Sequence, residues 1–532
     1  MKKMLLLMIL ITAVLNAKPQ EIFNHYGLSA FNLGIWEYPK MEEPSGKPVV
    51  DVPFYAPGEF EKAEGALFCW DDHTGMPKLL AQMICFIAEE YKVWIRINPG
   101  DLKRVSDLLC SEKVKMENLH FIESSCGLNS AWIGDYGPTW IYTQKGDREI
   151  VDLFYPDPID DSFNEKFGME LGVKVNPTSF FKLADDLDFD SCGEDAELKN
   201  IRDLKCTAMI SVSDEELFVI DKRKQLTQWL EDLYNVHKVG YWPRLSHEMS
   251  GSIDVVMKLL NPTSLMLGHY ETVQAAADGD DPPQAGKFGP LNGNCNLLID
   301  IRASFSGVPP WTNALDQTYK LIDVAMPAVN KSAKLYDYNV TPSFNQILIV
   351  GRRVLVPSYG GYDGIVKTSI EEALKNRENQ KRYPQGYLIK TFDVAAVNGY
   401  FGSLHAVART IPADPLTITH EGPRKATVGE VVPLEIKVEG VHPVDQEKTF
   451  LYFSTGSDEV RFQMAKELGN GGIFKSVIQG ITHEVTVKYH FSAEDSTGML
   501  ETLPDKAPEQ TFSLEFVKPE SRNDDDTGES GK

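Results

Sequence analysis

The feature that most constrains the fold is a recurring strand–helix–strand order between about Pro53 and Pro415. Residues 66–70 are apolar and strand-like, and residues 77–90 carry apolar side chains at helical spacing (Leu79, Leu80, Met83, Ile84, Ile87). Residues 92–97 then alternate again. The order returns with 216–220, 222–234 and 237–242, and once more with 353–357, 369–375 and 387–392. Between these units lie hairpin-like pairs, 207–212 turning at Ser213-Asp214 and 346–350 turning at Gly351-Arg352. A repeated strand–helix–strand unit with an added hairpin strand builds either a doubly wound sheet or a ring of small modules. Periodicity alone does not choose between them.

After Pro412-Ala413-Asp414-Pro415 the texture changes. Short alternating strands at 416–420, 432–438, 449–453, 460–464, 474–478, 484–491 and 511–516, with no helical stretch, read as a β-sandwich of immunoglobulin-like type over 416–518. Residues 519–532 are polar and acidic, which predicts a disordered tail. At the other end Lys2 and Lys3 precede the apolar run 4–15 and the small residue Ala17, the pattern of a bacterial secretory signal over 1–17. The expectation is an exported protein (periplasm, cell surface or secreted), beginning near Lys18 with an extension over 18–52. Its seven cysteines form no CxxC pair, which argues against a zinc ribbon or redox motif.

Charge excludes further classes. With 53 Lys+Arg against 77 Asp+Glu, the formal net charge is −24. Such a body repels nucleic-acid phosphates and anionic lipid, and no basic stripe compensates. No stretch approaches the roughly 20 apolar residues of a spanning helix, so no membrane span is expected.

Four segments stand out together: Ala56-Pro57-Gly58-Glu59-Phe60-Glu61 running on to Trp70, Trp132-Ile133-Gly134-Asp135-Tyr136-Gly137-Pro138, Gly251-Ser252-Ile253-Asp254, and Gly402-Ser403-Leu404-His405-Ala406. Their order and spacing resemble the agmatine deiminase and bacterial (Porphyromonas-type) peptidylarginine deiminase family over residues 52–412. That family opens with P-x-E-x-E-x-x-x-x-x-x-W and continues with W-x-R-D-x-G-P, G-H-x-D, Y-T-N-S and G-x-x-H-C. The resemblance implies an α/β fold, the fivefold pseudo-symmetric α/β propeller called a pentein, over 53–415. It also implies an immunoglobulin-like domain behind it and a guanidino ligand such as arginine, agmatine or an arginyl peptide or protein.

The family's chemistry is C–N hydrolysis. A Cys thiolate attacks the guanidinium carbon, a His acts as acid and then base, and two Asp residues hold the guanidinium nitrogens. Here Asp135 and Asp254 match the two carboxylates, whose pairing with a planar guanidinium is bidentate. The His position is Ser252, the Cys position is Ala406, the Arg of W-x-R-D is Gly134, and the Asn position is Gln346. Ala has no nucleophile, and Ser has no group titrating near neutrality. His405 stands beside Ala406 but matches a His that is not the family's acid–base. A structural reading stands beside the ligand reading for the carboxylates: Asp135 starts a turn and Asp254 sits at a strand end. The leading expectation is therefore a catalytically impaired deiminase scaffold. The alternatives are an active deiminase with a displaced nucleophile, and a surface adhesion or assembly protein acting through the sandwich.

One acidic stretch lies outside the resemblance. Asp186, Asp188, Asp190, Glu194 and Glu197 fall at positions 1, 3, 5, 9 and 12 of a calcium-loop spacing, with Ser191 where Gly is expected. A solvated acidic loop is the plainer reading. No cofactor is required by the expected chemistry, and calcium is the one metal the sequence suggests.

Overall fold

The computed structural model describes residues 53–518 except 73–74, 124–126, 129, 144–145, 179–186, 191–205, 213–219, 244–251, 270–311, 313, 315–316, 326–342, 360–362, 376, 396–402, 457–458, 468–471, 497–498 and 505–506. The expectations for 1–52, 519–532, Asp186, Glu194 and Glu197 lie outside the described residues. The chain folds as two compact units, with the main division between Ala413 and Asp414.

Five small sheets in the first unit share one plan: an antiparallel pair whose second strand also takes a parallel partner. In one sheet Ala408–Pro412 pairs with Ala63–Cys69, which takes Lys92–Ile97 and beyond it Leu119–Glu123. In the next Thr139–Thr143 pairs with Arg148–Asp152, which takes Val175–Pro177, and Pro53–Tyr55 adds to the edge. The plan repeats as Leu187–Phe189, Cys206–Val212 and Val236–Pro243. It repeats again as Met257–Asn261, Ser264–His269 and Lys320–Ala325. The last copy is Leu348–Val350, Arg353–Ser358 and Leu388–Asp393. The pairing of Ala408–Pro412 with Ala63–Cys69 joins the end of the unit to its beginning.

A parallel partner requires a crossover, commonly a helix. Helices Met76–Ala88, Phe163–Leu171, Ile220–Tyr234 and Asp363–Leu374 supply it in four of the sheets. The first shows why the sequence does this. Pro77 sits in the opening turn, where its missing N–H costs nothing. Leu79, Leu80, Met83, Ile84 and Ile87 then fall on one buried stripe packed with Phe68, Val93 and Ile95. Burial of each such side chain contributes about 1.5–3 kcal/mol. Strands Thr139–Thr143, Arg148–Asp152 and Met257–Asn261 are buried along their whole length, as sheets covered on both faces require.

One expectation about an element is corrected. Ile220, read as the end of a strand, opens the helix Ile220–Tyr234. The strands paired with Cys206–Val212 are Leu187–Phe189, antiparallel and upstream of it, and Val236–Pro243, parallel; the turn expected at Ser213-Asp214 lies outside the described residues. The hairpin turning at Gly351-Arg352 forms where it was placed.

In the second unit, Leu416–Thr419, Val432–Gly440, Ile473–Ile478 and Ala465–Lys466 form one sheet. Lys425–Thr427, Phe512–Val517, Val485–Glu494, Phe450–Ser454 and Glu459–Gln463 form another, with Leu500–Leu503 pairing to Val485–Glu494. Strict alternation in Val432–Gly440 turns Val432, Leu434, Ile436 and Val438 into a core shared with Leu451, Phe474, Val487, Phe491 and Leu514. Among the described residues, no helix is long and apolar enough to cross a membrane.

Candidate functional site

The residues selected by motif occupy one recurring place in the topology. Asp135 lies in the helical turn Ile133–Tyr136 ahead of strand Thr139–Thr143. Ser252 and Asp254 lie ahead of Met257–Asn261, with Asp254 in the 3-10 turn Ile253–Val255. Gln346 precedes Leu348–Val350, and His405 and Ala406 precede Ala408–Pro412. In the remaining sheet Asp188 is on the first strand itself, Leu187–Phe189.

Local chemistry fixes these lead-in segments. The Ser403 hydroxyl accepts the Ala406 N–H at 3.0 Å, closing the turn that presents His405. Asn345 donates to the Val256 carbonyl at 2.7 Å, and Ser343 donates to the Val255 carbonyl at 2.8 Å. The segment before Gln346 is thereby tied to the turn that carries Asp254. The Gly134 N–H donates to the Ala406 carbonyl at 2.8 Å. A Cβ at Gly134 would stand 2.8 Å from Ala406 Cα, so the helical turn bearing Asp135 rests directly on the backbone at 406.

A buried polar chain runs through this region. Ser252 Oγ donates to Asp254 Oδ1 at 2.6 Å. Asp254 Oδ2 faces His405 Nδ1 at 3.3 Å, out of hydrogen-bond alignment, and each atom lacks a hydrogen-bond partner among the described residues. His405 Nε2 lies 2.6 Å from Glu59 Oε2, the same oxygen that takes Lys258 Nζ at 2.8 Å. Lys258 Nζ is also 3.9 Å from Asp188 Oδ2, which accepts the Leu259 N–H at 2.9 Å. The Ile349 N–H donates to the other oxygen of Glu59 at 2.5 Å. Burial pulls the Glu59 carboxyl upward, but Lys258 and His405 outweigh it and hold it well below the usual carboxylate range. At Asp188 burial wins over Lys258, and its carboxyl is raised. Burial lowers Lys258, but Asp188 and Glu59 prevail and raise it above the ordinary lysine value.

A cleft of ≈ 60 Å³ adjoins the cluster, with Glu59, Asp188, Lys258, His405, Trp140 and Thr410 among its lining residues. Typical small-molecule sites measure ~300–1,000 Å³, so this space suits a few waters. Asp135, Ser252, Asp254, Gln346 and Ala406 do not line it. Pro412, which does, closes the strand that Ala406 precedes, so the cleft reaches the end of that strand farther from Ala406.

The sequence-selected residues thus divide. Ser252, Asp254 and His405 come together. Ala406 touches the turn of Asp135 through backbone, and Gln346 accepts from the Tyr359 hydroxyl at 3.2 Å. Asp135 is half-buried on its turn. Two of the calcium-loop candidates lie among the described residues. Asp188 is turned into the core, where it takes the Leu259 N–H. Asp190, fully buried, accepts the Thr207 N–H at 2.7 Å and the Tyr319 hydroxyl at 3.0 Å. Among the described residues, no group of three or more His, Cys, Asp or Glu is placed to hold a metal ion. Glu59 and Lys258 were missed as site residues. The available signals were Glu59 inside the Pro57-Gly58-Glu59 motif, and one lysine within the apolar run Val255-Val256-Met257-Lys258-Leu259-Leu260.

No family model matches the chain, and no curated protein matches it. Among solved structures, one of murine CRIg is similar at a TM-score of 0.14 and 8% identity, over 20% of this chain and 98% of that one. A likeness of that size carries no argument about fold or function.

Proposed function

We propose that residues 53–413 are a pentein-type guanidino-deiminase scaffold, exported from the cell, that holds an arginine-like group without hydrolysing it. Fivefold repetition of the antiparallel-plus-parallel strand plan, with a site residue leading each sheet or on its first strand, supports the propeller. One observation carries the loss of catalysis: the polar chain runs Ser252–Asp254–His405, with the carboxylate between hydroxyl and imidazole. A serine nucleophile needs its base in direct contact, and the His405 imidazole instead meets Asp254 and Glu59. Ala406 offers no thiol. Of the described free cysteines, Cys69 is pushed up to about 12 by burial and leans on the Ser130 carbonyl and Tyr136 hydroxyl. Asp254 Oδ2, buried and without a hydrogen-bond donor among the described residues, is the acceptor a guanidinium N–H would take.

Calorimetric titration of arginine, agmatine and an arginyl peptide, run beside a citrulline assay, tests this reading. Binding without turnover, lost in Asp254→Asn, is the expected result. Citrulline release abolished by Asp254→Asn would establish a displaced nucleophile, and no binding of any of the three would remove the ligand reading. N-terminal sequencing of extracytoplasmic protein checks export: a start near Lys18 is expected, and an intact Met1 on cytoplasmic protein would end that part.

A further inference from the structure

Strand Glu459–Gln463 ends its sheet, pairing with Phe450–Ser454 and with no other strand among the described residues. All five of its residues are exposed, including Val460 at 43% and Phe462 at 45%. Sheet edges of this kind are ordinarily blunted by charged side chains, lysine above all, by proline, a bulge or a covering segment, and the two charges here, Glu459 and Arg461, are of opposite sign. The strand Glu459-Val460-Arg461-Phe462-Gln463 has neither lysine nor proline, and its pairing with Phe450–Ser454 runs without a register shift.

Backbone parity shows what the edge offers. The Met464 N–H donates to the Thr449 carbonyl at 2.8 Å, continuing the ladder of Phe450 with Gln463 and Leu451 with Phe462. Alternation from that bond turns the N–H and C=O of Phe462 and Val460 inward and those of Gln463, Arg461 and Glu459 toward the open edge. An added antiparallel strand must therefore bond to Glu459, Arg461 and Gln463.

We propose that this edge pairs with the same edge of a second copy of the chain, in the register that sets Glu459 opposite Arg461 of the other copy and Val460 opposite Val460. A twofold axis then passes through the valine pair. On each side of it Glu459 and Arg461 exchange both main-chain hydrogen bonds and bring opposite charges together on one face. The neighbouring registers lack this match. Centring on Arg461 sets arginine against arginine, and centring on Glu459 sets glutamate against glutamate. Centring on Phe462 sets Arg461 against Gln463, with no charge paired. Phe462 stacks on Phe453 with centroids 5.4 Å apart, and Arg461 lies over the Phe450 ring at 4.4 Å, so both side chains are already ordered along the edge. The contact is a short one, so the dimer forms and dissociates with concentration and weakens as salt screens the charge pairs.

Sedimentation equilibrium of the full chain across the micromolar range tests the register. Wild type is expected to dimerise reversibly, and Arg461→Glu, which sets glutamate against glutamate on both sides, to weaken the dimer at least about tenfold. The double change Glu459→Arg with Arg461→Glu restores opposite charges and is expected to recover most of the affinity. Unchanged far-ultraviolet circular dichroism confirms that the variants fold, since all the altered side chains are exposed. A strictly monomeric wild type, a dimer indifferent to Arg461→Glu, or a double variant as weak as the single one would each overturn the proposal.

Discussion

Asp152 should make the stability of the first unit depend on pH. It ends strand Arg148–Asp152 and is almost fully buried. Burial dominates its environment and lifts its carboxyl from 3.8 to about 7, against the opposing hydrogen bond from Asn164 and with Asp161 and Glu165 adding repulsion. The Asn164 amide donates to Asp152 at 2.6 Å and to the Tyr136 carbonyl at 2.9 Å, so the turn that carries Asp135 shares this network. A carboxyl raised on folding contributes stability that is full below about 3.8 and lost as pH climbs through about 7. The interval between those values is worth about 4 kcal/mol at 1.36 kcal/mol per pH unit, an upper figure because the group retains some contact with solvent. Asp152→Asn keeps an oxygen to accept from Asn164 and removes the ionisation. Urea unfolding of both proteins between pH 4 and pH 8 is the assay. The variant is expected to match wild type near pH 4 and to exceed it by a few kcal/mol near pH 8. Parallel pH profiles would refute the assignment.

Two further perturbations test what holds the unit together. Arg96 and Asp160 meet at 2.8 Å with neither side chain exposed, and Arg96 lies over the Tyr136 and Phe163 rings at 5.2 and 4.7 Å. Asp160→Ala strands that guanidinium and should cost about 3–5 kcal/mol in denaturant unfolding, more than a paired replacement of both residues. Lys258→Met should likewise destabilise by about 3–5 kcal/mol by leaving Glu59 and Asp188 without their cation. Adding Glu59→Gln should recover part of that loss in a double-mutant cycle. Glu59→Gln alone should flatten the acid limb of stability below about pH 4.5, where protonation of a carboxyl held low by its partners begins to weaken the fold.

Period and turn chemistry made the repeats legible. The apolar spacing of Leu79 to Ile87 placed the first helix. Gly351-Arg352 placed a hairpin, and the seven alternating stretches after Leu416 fall on strands of the second unit. The acidic stretch fits two patterns for a physical reason: positions 1, 3 and 5 of a calcium loop share the i, i+2 spacing of one face of a strand. Asp188 lies on strand Leu187–Phe189 and Asp190 directly follows it, and both turn inward to partners distant in sequence, Leu259 and Tyr319. Nothing local in sequence announces the Glu59–Lys258 pair, because 199 residues separate its members and only the sheet arrangement brings them to 2.8 Å. In sequence His405 stands out only through its neighbour Ala406; its place in the cluster comes from Glu59, 346 residues away.

On the proposed deiminase-scaffold reading, position 406 lacks a nucleophile and position 134 a cationic side chain, and the two positions touch. Gly134 lies with its N–H on the Ala406 carbonyl, and a Cβ there would meet Ala406 Cα at 2.8 Å and the His405 carbonyl at 3.2 Å. Real Cβ atoms do not stand that close to backbone, so any larger residue at 134 requires the 403–406 turn to move. That turn also aims His405 at Glu59, so moving it disturbs the Glu59–Lys258 pair. On the proposed reading, Ser252→His with Ala406→Cys therefore supplies the two chemical groups while Gly134 stays packed against the 403–406 turn. The expected outcome is a folded double variant whose introduced thiol reacts with alkylating reagents while citrulline formation stays at background. A one-ångström misplacement of reacting groups is enough to cost about a hundredfold. Adding Gly134→Arg should lower the melting temperature further, because the contact it forces is with backbone. Citrulline formed by the double variant at a rate well above background would show that Gly134 is no obstacle and that only the two reacting groups were missing.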